Sequence, residues 1–340
     1  MPGDLSGPAG EETPAAGELT FPFHPMTEML VARGLGRIYR WRGGRHEALT
    51  NVDLTVPKGV VLGLLGRNGA GKTTFVRIAA TSLMPTSGSM EVLGHDVVHA
   101  ADEVRARIAV IPQESRPFYW MTSGELVEYY LRMRGESVSQ ARNQARDTLN
   151  QLELSRWKDV QANRLSGGLR RRVMVAMVMA SDAEVLFLDE PTTGLDPLAR
   201  RSVWNAIRKA ASERRTVLLT THYLDEAEAL SDRLAILEGG RLLASGTPAD
   251  IASRVRHPYR VTLEGGFSAK ELEGLGQITQ VGAKTLLFTG EEQARELART
   301  ALEKGRRISM GPVSLEDLFV QIVGKEISHE DEEPEGPLAT

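Results

Sequence analysis

Residues Gly66 to Thr74 read GRNGAGKTT and fit the pattern G-x-x-x-x-G-K-[ST]. Each part has a physical task. Gly66, Gly69 and Gly71 let the backbone bend, so that successive N–H groups, through Asn68 and Ala70, point at phosphate oxygens. A helix starting near Lys72 adds its positive N-terminal end. Lys72 supplies a full charge to β- and γ-phosphates. The Thr73 hydroxyl, with Thr74 beside it, can enter the shell of Mg²⁺, an ion that takes oxygen ligands and keeps several waters. The motif alone specifies a nucleoside triphosphate and nothing finer.

A second stretch, VLFLDE (Val185–Glu190), is an apolar run ending in two carboxylates. In a parallel sheet, ligands sit at the carboxyl ends of strands. Asp189 is then placed to hold Mg²⁺, directly or through water. Glu190 can orient and deprotonate a water for in-line attack on a γ-phosphate. The third stretch, LSGGLRRR (Leu165–Arg172), places a small hydroxyl before two glycines that open a helix. Its three arginines suit a solvated face or a nucleic-acid patch. A formal charge of −4 over 340 residues gives no global field toward nucleic acid, so none is expected as partner.

These stretches need elements to hold them. VVLGLL, RIAVI, EVLFLD and RTVLLTTH are short apolar runs separated by helical patterns, the mark of a parallel sheet covered on both faces. Residues 123–161 read as a wholly helical insertion between strands. RLAILEGGRLLASG is a strand, a Gly-Gly turn and a second strand. Beyond about His257 the order becomes strand, helix, strand, strand, helix, strand, helix. Its first six elements follow the split βαβ, ferredoxin-like order. Residues 1–25 and 326–340 read as polar tails, the second acidic. With no cysteine in the chain, disulfides, thiolate nucleophiles and Cys-based zinc sites are excluded. No histidine pair has zinc-site spacing, which leaves Mg²⁺ as the metal. No apolar run reaches the roughly 18 residues of a membrane span, and no signal sequence opens the chain. A soluble, unexported chain without its own transmembrane segment is expected.

Taken together, the motifs resemble those of the ATP-binding subunits of ABC transporters. Gly66–Thr74 look like Walker A, and Leu186–Glu190 like Walker B with its catalytic glutamate. Leu165–Gly168 look like the signature, Gly194–Asp196 like the D-loop, Gln113 like the Q-loop glutamine and His222 like the switch histidine. Tyr39 stands where that family has an adenine-stacking aromatic, and Trp41 is a competing candidate nearby. The resemblance covers about residues 29–250. Leu169 departs from the commonest signature, which has Gln there; apolar residues occur at this place in drug- and antibiotic-exporter ATPases. The end of the chain is similar to the daunorubicin-resistance type.

The resemblance implies an α/β fold: a P-loop NTPase of ABC type with a mainly parallel core sheet, an antiparallel β subdomain and a helical insertion at about 114–178. The ATP-binding domain spans 26–250, and a small C-terminal α+β domain spans 257–325. ATP and Mg²⁺ are the implied cofactors, with Thr73, Gln113 and Asp189 at the metal. Two copies are expected to sandwich two ATP molecules, each copy offering Ser166, Gly167 and Gly168 to the γ-phosphate held by the other. Asp196 lies at the same seam. A separate membrane permease is implied as partner, holding the chain at the inner face of the cell membrane and exporting a drug, antibiotic or lipid-like solute. Phe118, Tyr119 and Trp120 are large anchors for it, or else core residues. Arg170–Arg172 are expected to form a solvated helix face with intersubunit or partner contacts. A soluble ABC ATPase acting on ribosomes or DNA is the second reading, disfavoured by a single cassette without coiled coils or zinc modules.

Overall fold

Strands β1 (Glu28–Trp41) and β2 (Gly44–Pro57) form a long antiparallel hairpin. Next come β3 (Val61–Leu65), α1 (Lys72–Ala79), β4 (Ser87–Val92), β5 (His95–Asp96), α2 (Ala101–Arg107) and β6 (Ile108–Ile111). A helical stretch follows, with α3 (Ser123–Met133), α4 (Val138–Gln151) and α5 (Gly167–Ala180). The chain then returns to the sheet through β7 (Val185–Asp189), α6 (Pro197–Ser212), β8 (Thr216–Thr221) and α7 (Leu224–Leu230). The hairpin β9 (Arg233–Glu238) and β10 (Arg241–Gly246) precedes α8 (Pro248–Ala252). Last come β11 (Tyr259–Leu263), α9 (Ala269–Leu272), β12 (Gly276–Val281), β13 (Lys284–Thr289), α10 (Glu291–Glu303), β14 (Ile308–Pro312) and α11 (Leu315–Val323). The computed structural model describes residues 28–113, 117–252, 257–264, 267–281 and 284–323. Both expected tails, and residues 114–116 before the aromatic stretch, lie outside these.

The central sheet has the order β10-β9-β3-β8-β7-β6, parallel except for β10. β3, β7 and β8 are buried along their whole length, which is why each carries a short apolar run, with polar Thr220, Thr221 and Asp189 where β8 and β7 reach the rim. Register decides where the chemistry falls. Leu65 pairs with Thr221, and Asp189 with Thr220, so β3, β7 and β8 end side by side at one rim. The phosphate-type loop, the acidic strand end and His222 therefore leave the sheet together.

A second, antiparallel sheet has the order β2-β1-β4-β5. It buries Leu35, Leu49 and Val52 in one core with Phe75 and Ile78 of α1 and Leu62 and Leu64 of β3. α1 is thereby held rigidly behind its loop. The helical lobe packs Leu126 and Leu131 of α3, Leu149 of α4 and Val173 of α5 in one cluster with Ile111 and Leu188 of the central sheet. Thr122 starts α3 with a capping box, its hydroxyl accepting from the Glu125 N–H at 3.2 Å and Glu125 accepting from the Thr122 N–H at 2.8 Å.

The C-terminal sheet has the order β12-β13-β11-β14, all antiparallel, the split βαβ arrangement. α10 covers it, with Ala294 and Leu297 against Val261 and Leu287. α11 does not join that cluster. It inserts Leu315, Leu318 and Phe319 among Leu65, Leu234, Ile236 and Ala244 of the central sheet. Arg260 of β11 reaches Asp317 of α11 at 3.1 Å and ties the two clusters.

Candidate functional site

Gly71 caps α1 with φ 103°, a left-handed backbone that glycine alone adopts freely. Gly66 is required for space: a Cβ there would collide with the Leu237 carbonyl of β9. The loop curls around Lys72, which is 5% exposed and whose Nζ donates to the carbonyls of Gly66 at 2.6 Å and Arg67 at 3.0 Å. Burial lowers the pKa of this ammonium, while Glu190, Asp189 and Glu238 oppose the shift. Its ammonium points into the loop.

Three oxygen donors converge beside it. Thr73 Oγ1 donates to Gln113 Oε1 at 3.3 Å and also bonds Asp189. Thr220 Oγ1 donates to Asp189 Oδ1 from the neighbouring strand. Burial raises the Asp189 carboxyl, against hydrogen bonds from Thr220 and Thr73 that favour its charged form. A hydroxyl, an amide oxygen and a carboxylate are hard donors of the type Mg²⁺ takes, so Thr73, Gln113 and Asp189 fit that ion.

Glu190 follows at once and is 8% exposed, with φ 50°. Such a backbone is uncommon for any residue but glycine and concentrates at functional sites. Its N–H is fixed by Thr220 Oγ1 at 3.0 Å. Its carboxylate accepts from Thr193 Oγ1 at 3.1 Å and sits 3.3 Å from His222 Nδ1. Burial works to raise this carboxyl, but His222, Lys72 and Thr193 outweigh it and hold it below the ordinary range. An ionised carboxylate so placed can accept a proton from water.

A further layer escaped the sequence reading. Glu226 of α7 is fully buried and accepts from Thr192 Oγ1 at 2.8 Å and Trp204 Nε1 at 3.0 Å. It fastens the segment after Glu190 to α6 and to the helix after His222. Burial raises its pKa. The signal was the E of LDEAE one helical turn past His222, beside a threonine pair after the acidic strand end.

Tyr39 lies next to the loop, its Oη 3.4 Å from Thr74 Oγ1 and the Arg37 guanidinium 4.9 Å from its ring centre. Trp41 is at the hairpin tip, 60% exposed and folded against Gly44. Of the two aromatics, Tyr39 is the one beside Thr74.

The structure thus gathers Gly66–Thr74, Gln113, Asp189, Glu190 and His222 at one rim. Ser166, Gly167 and Gly168 stand at the start of α5, away from the Lys72 loop but on the side of Gln113 and Glu190. Ser166 Oγ accepts from the Leu169 N–H at 3.2 Å and caps α5, much as Asp196 caps α6 through the Ala199 N–H at 2.9 Å. Gly167 and Gly168 border a hollow of about 390 Å³ shared with Gln113, Glu190, Thr193 and Gly194, and Lys72 is not part of its lining. Among the described residues a Cβ on Gly167 would meet nothing within 4 Å.

The arginine run corrects the expectation of a solvated face. Arg170, Arg171 and Arg172 are all partly buried. Arg171 Nη1 donates to the carbonyls of Pro112 and Gln113, both at 3.2 Å, and Nη2 to those of Asp189 and of Glu190, the latter at 2.8 Å. Arg172 donates to the Leu152 carbonyl at 3.3 Å, and Arg170 lies over the Tyr119 ring at 5.8 Å. The side chains of Arg171 and Arg172 reach back along the helix to backbone carbonyls, and that of Arg170 to an aromatic ring. Phe118, Tyr119 and Trp120 are 48%, 40% and 69% exposed, which removes the core alternative for them.

Residues 49–193 match the family described as ABC transporter. The chain is 38% identical to the daunorubicin/doxorubicin resistance ATP-binding protein DrrA of Streptomyces peucetius, over 88% of this chain and 93% of that one. It is 35% identical to the Nod factor export ATP-binding protein I of Cupriavidus metallidurans, over 89% and 99%. Among solved structures, the dimeric post-hydrolysis state of an ATP-binding cassette bound to ADP and Pi aligns with a TM-score of 0.61 at 25% identity. That alignment covers 64% of this chain and 98% of the other.

Proposed function

The chain belongs to the ATP-binding subunits of ABC transporters, of the drug-exporter type, and from that premise we propose that two copies close around two ATP molecules to drive a separate membrane permease. ATP with Mg²⁺ is its cofactor and ATP hydrolysis its reaction. In this reading Gly66, Asn68, Gly69, Ala70 and Gly71 present N–H groups to the phosphates, and Lys72 neutralises them. Thr73, Gln113 and Asp189 would hold Mg²⁺, which when bound neutralises charge developing between the β- and γ-phosphates. Glu190 takes the proton of the attacking water. His222 fixes the Glu190 carboxylate and registers the γ-phosphate. Tyr39 stacks on adenine.

The observation that carries the two-copy reading is Gly167. Among the described residues nothing crowds the first position of α5 so as to require a glycine there. An outside group close to the backbone accounts for it, and the Gly167 and Gly168 N–H groups at a helix start suit a phosphate. The likeness to a dimeric cassette supports the same reading. Ser166→Arg tests it. The variant should bind ATP as a monomer with wild-type affinity yet fail to form the ATP-dependent dimer in sedimentation. A dimer that still forms refutes the composite site.

Export, and attachment to the cytoplasmic face of a membrane through the permease, come from the drug-resistance and Nod factor export relatives. Among the described residues no helix is long and apolar enough to cross a membrane. Exposed Phe118, Tyr119 and Trp120, with Tyr129 at 42%, form the aromatic patch for the permease.

A further inference from the structure

Arg171 has no place in the chemistry above, yet its guanidinium holds both sides of the site. Nη1 binds the Pro112 and Gln113 carbonyls, and Nη2 binds those of Asp189 and Glu190. These are the backbone groups of a proposed Mg²⁺ ligand and of the proposed base. The arginine itself stands on α5, four residues after Gly167. A planar fork with fixed donor directions sets the spacing between two strand ends in a way a flexible ammonium does not. The two segments belong to neighbouring strands, since β6 pairs with β7 from Ile108↔Val185 to Ile111↔Leu188. Past Ile111 and Leu188 that pairing stops, and the arginine continues the link where the ladder no longer does.

We propose that Arg171 is a positioning residue that locks the signature helix to the Gln113 segment and to the Asp189–Glu190 strand end of the same chain. The face that would complete one ATP site and the groups that would act on the other then move as one body. The inference rests on the two-copy reading for its second half only. Holding Gln113 and Glu190 in place is a property of the single chain.

The test compares full-length variants. Arg171→Met keeps the apolar stem and removes the four hydrogen bonds. ATP affinity of the monomer should stay within about twofold, because Lys72 and its loop are untouched. kcat should fall about 10–100-fold, the scale on which a displacement of about 1 Å acts on a reacting group. The Hill coefficient of turnover against ATP should drop toward 1. Arg171→Lys should recover only part of kcat. Arg172→Met removes an arginine–carbonyl contact of the same helix away from the site and should keep wild-type turnover. Wild-type kcat in Arg171→Met overturns the proposal, and so does an equal loss in Arg172→Met. If Arg171→Met does not fold, full activity in Arg171→Lys overturns it equally. Failure of the two-copy reading has its own sign: Glu190→Gln would then form no dimer with ATP, whatever Arg171 does to kcat. A reduced kcat with an unchanged Hill coefficient overturns the coupling of the two sites.

Discussion

At the rim where β7 ends, the polar side chains are held in place: Asp189 by Thr220, Glu190 by Thr193 and His222, Lys72 by two loop carbonyls. At the start of α5 the situation is reversed. Ser166 turns its hydroxyl to its own helix, and among the described residues nothing lies within 4 Å of a Cβ on Gly167. Both regions carry motifs of equal sequence clarity, yet one is finished by the fold and the other is left open. A motif whose residues satisfy each other is preorganised, with polar groups fixed before substrate arrives. A motif that leaves small residues bare is a surface in search of its complement. The first should therefore respond to substitution through chemistry and stability, and the second through assembly alone.

The sharpest way to break this contrast is Glu190→Gln. Loss of a general base lowers turnover by about 10²–10⁴-fold. ATP binding should persist and a closed dimer accumulate, read by phosphate release and sedimentation. Near wild-type turnover would mean that the preorganised side lacks its base. A smaller effect comes from adding one methyl to each region. Gly66→Ala drives a Cβ into the Leu237 carbonyl and should cost about 1–3 kcal/mol in denaturant unfolding. Gly167→Ala should leave the monomer unchanged, or more stable by up to ~1 kcal/mol, while ATP-driven dimerisation weakens about tenfold or more. Equal unfolding costs at the two glycines would erase the distinction.

The smallest effect is in pH. The folded Glu190 carboxyl is depressed by His222, Lys72 and Thr193 against the pull of burial. A depressed carboxylate contributes stability above its unfolded value, ordinarily 4.5, and loses it as pH falls through the folded one. The stability difference between wild type and Glu190→Gln should then be flat above about pH 5 and shift against the wild type below it. Gly167→Ala should show no such dependence in acid unfolding curves.

Much of this was legible in the residues. β3, β7 and β8 are buried on both faces, and the apolar runs VLGLL, VLFL and VLL at their centres carry that in the sequence. The loop Gly66–Thr74 carries its purpose in its glycines. Besides Glu226, three things were not legible. The 50° φ of Glu190 leaves no mark on residue type. Arg171 hid in a basic run, although Val175 and Val178, four and seven residues on and both buried, share its helix face. That spacing was the available clue that the middle arginine points inward. For α11, amphipathic spacing gives an apolar stripe without saying which sheet it covers, and Phe319 chose the central one.

The way α11 docks bears on the order in which the chain matures. Leu65, Leu234 and Ile236 belong to the ATP-binding sheet, yet their apolar flank is closed by Leu315, Leu318 and Phe319. During synthesis that flank stays uncovered after every ATP-binding motif has left the ribosome, until translation has passed Phe319. Translation thus delivers a nucleotide site before it delivers the seal on that sheet, and a transcript cut between the two would yield a protein prone to stick to its neighbours.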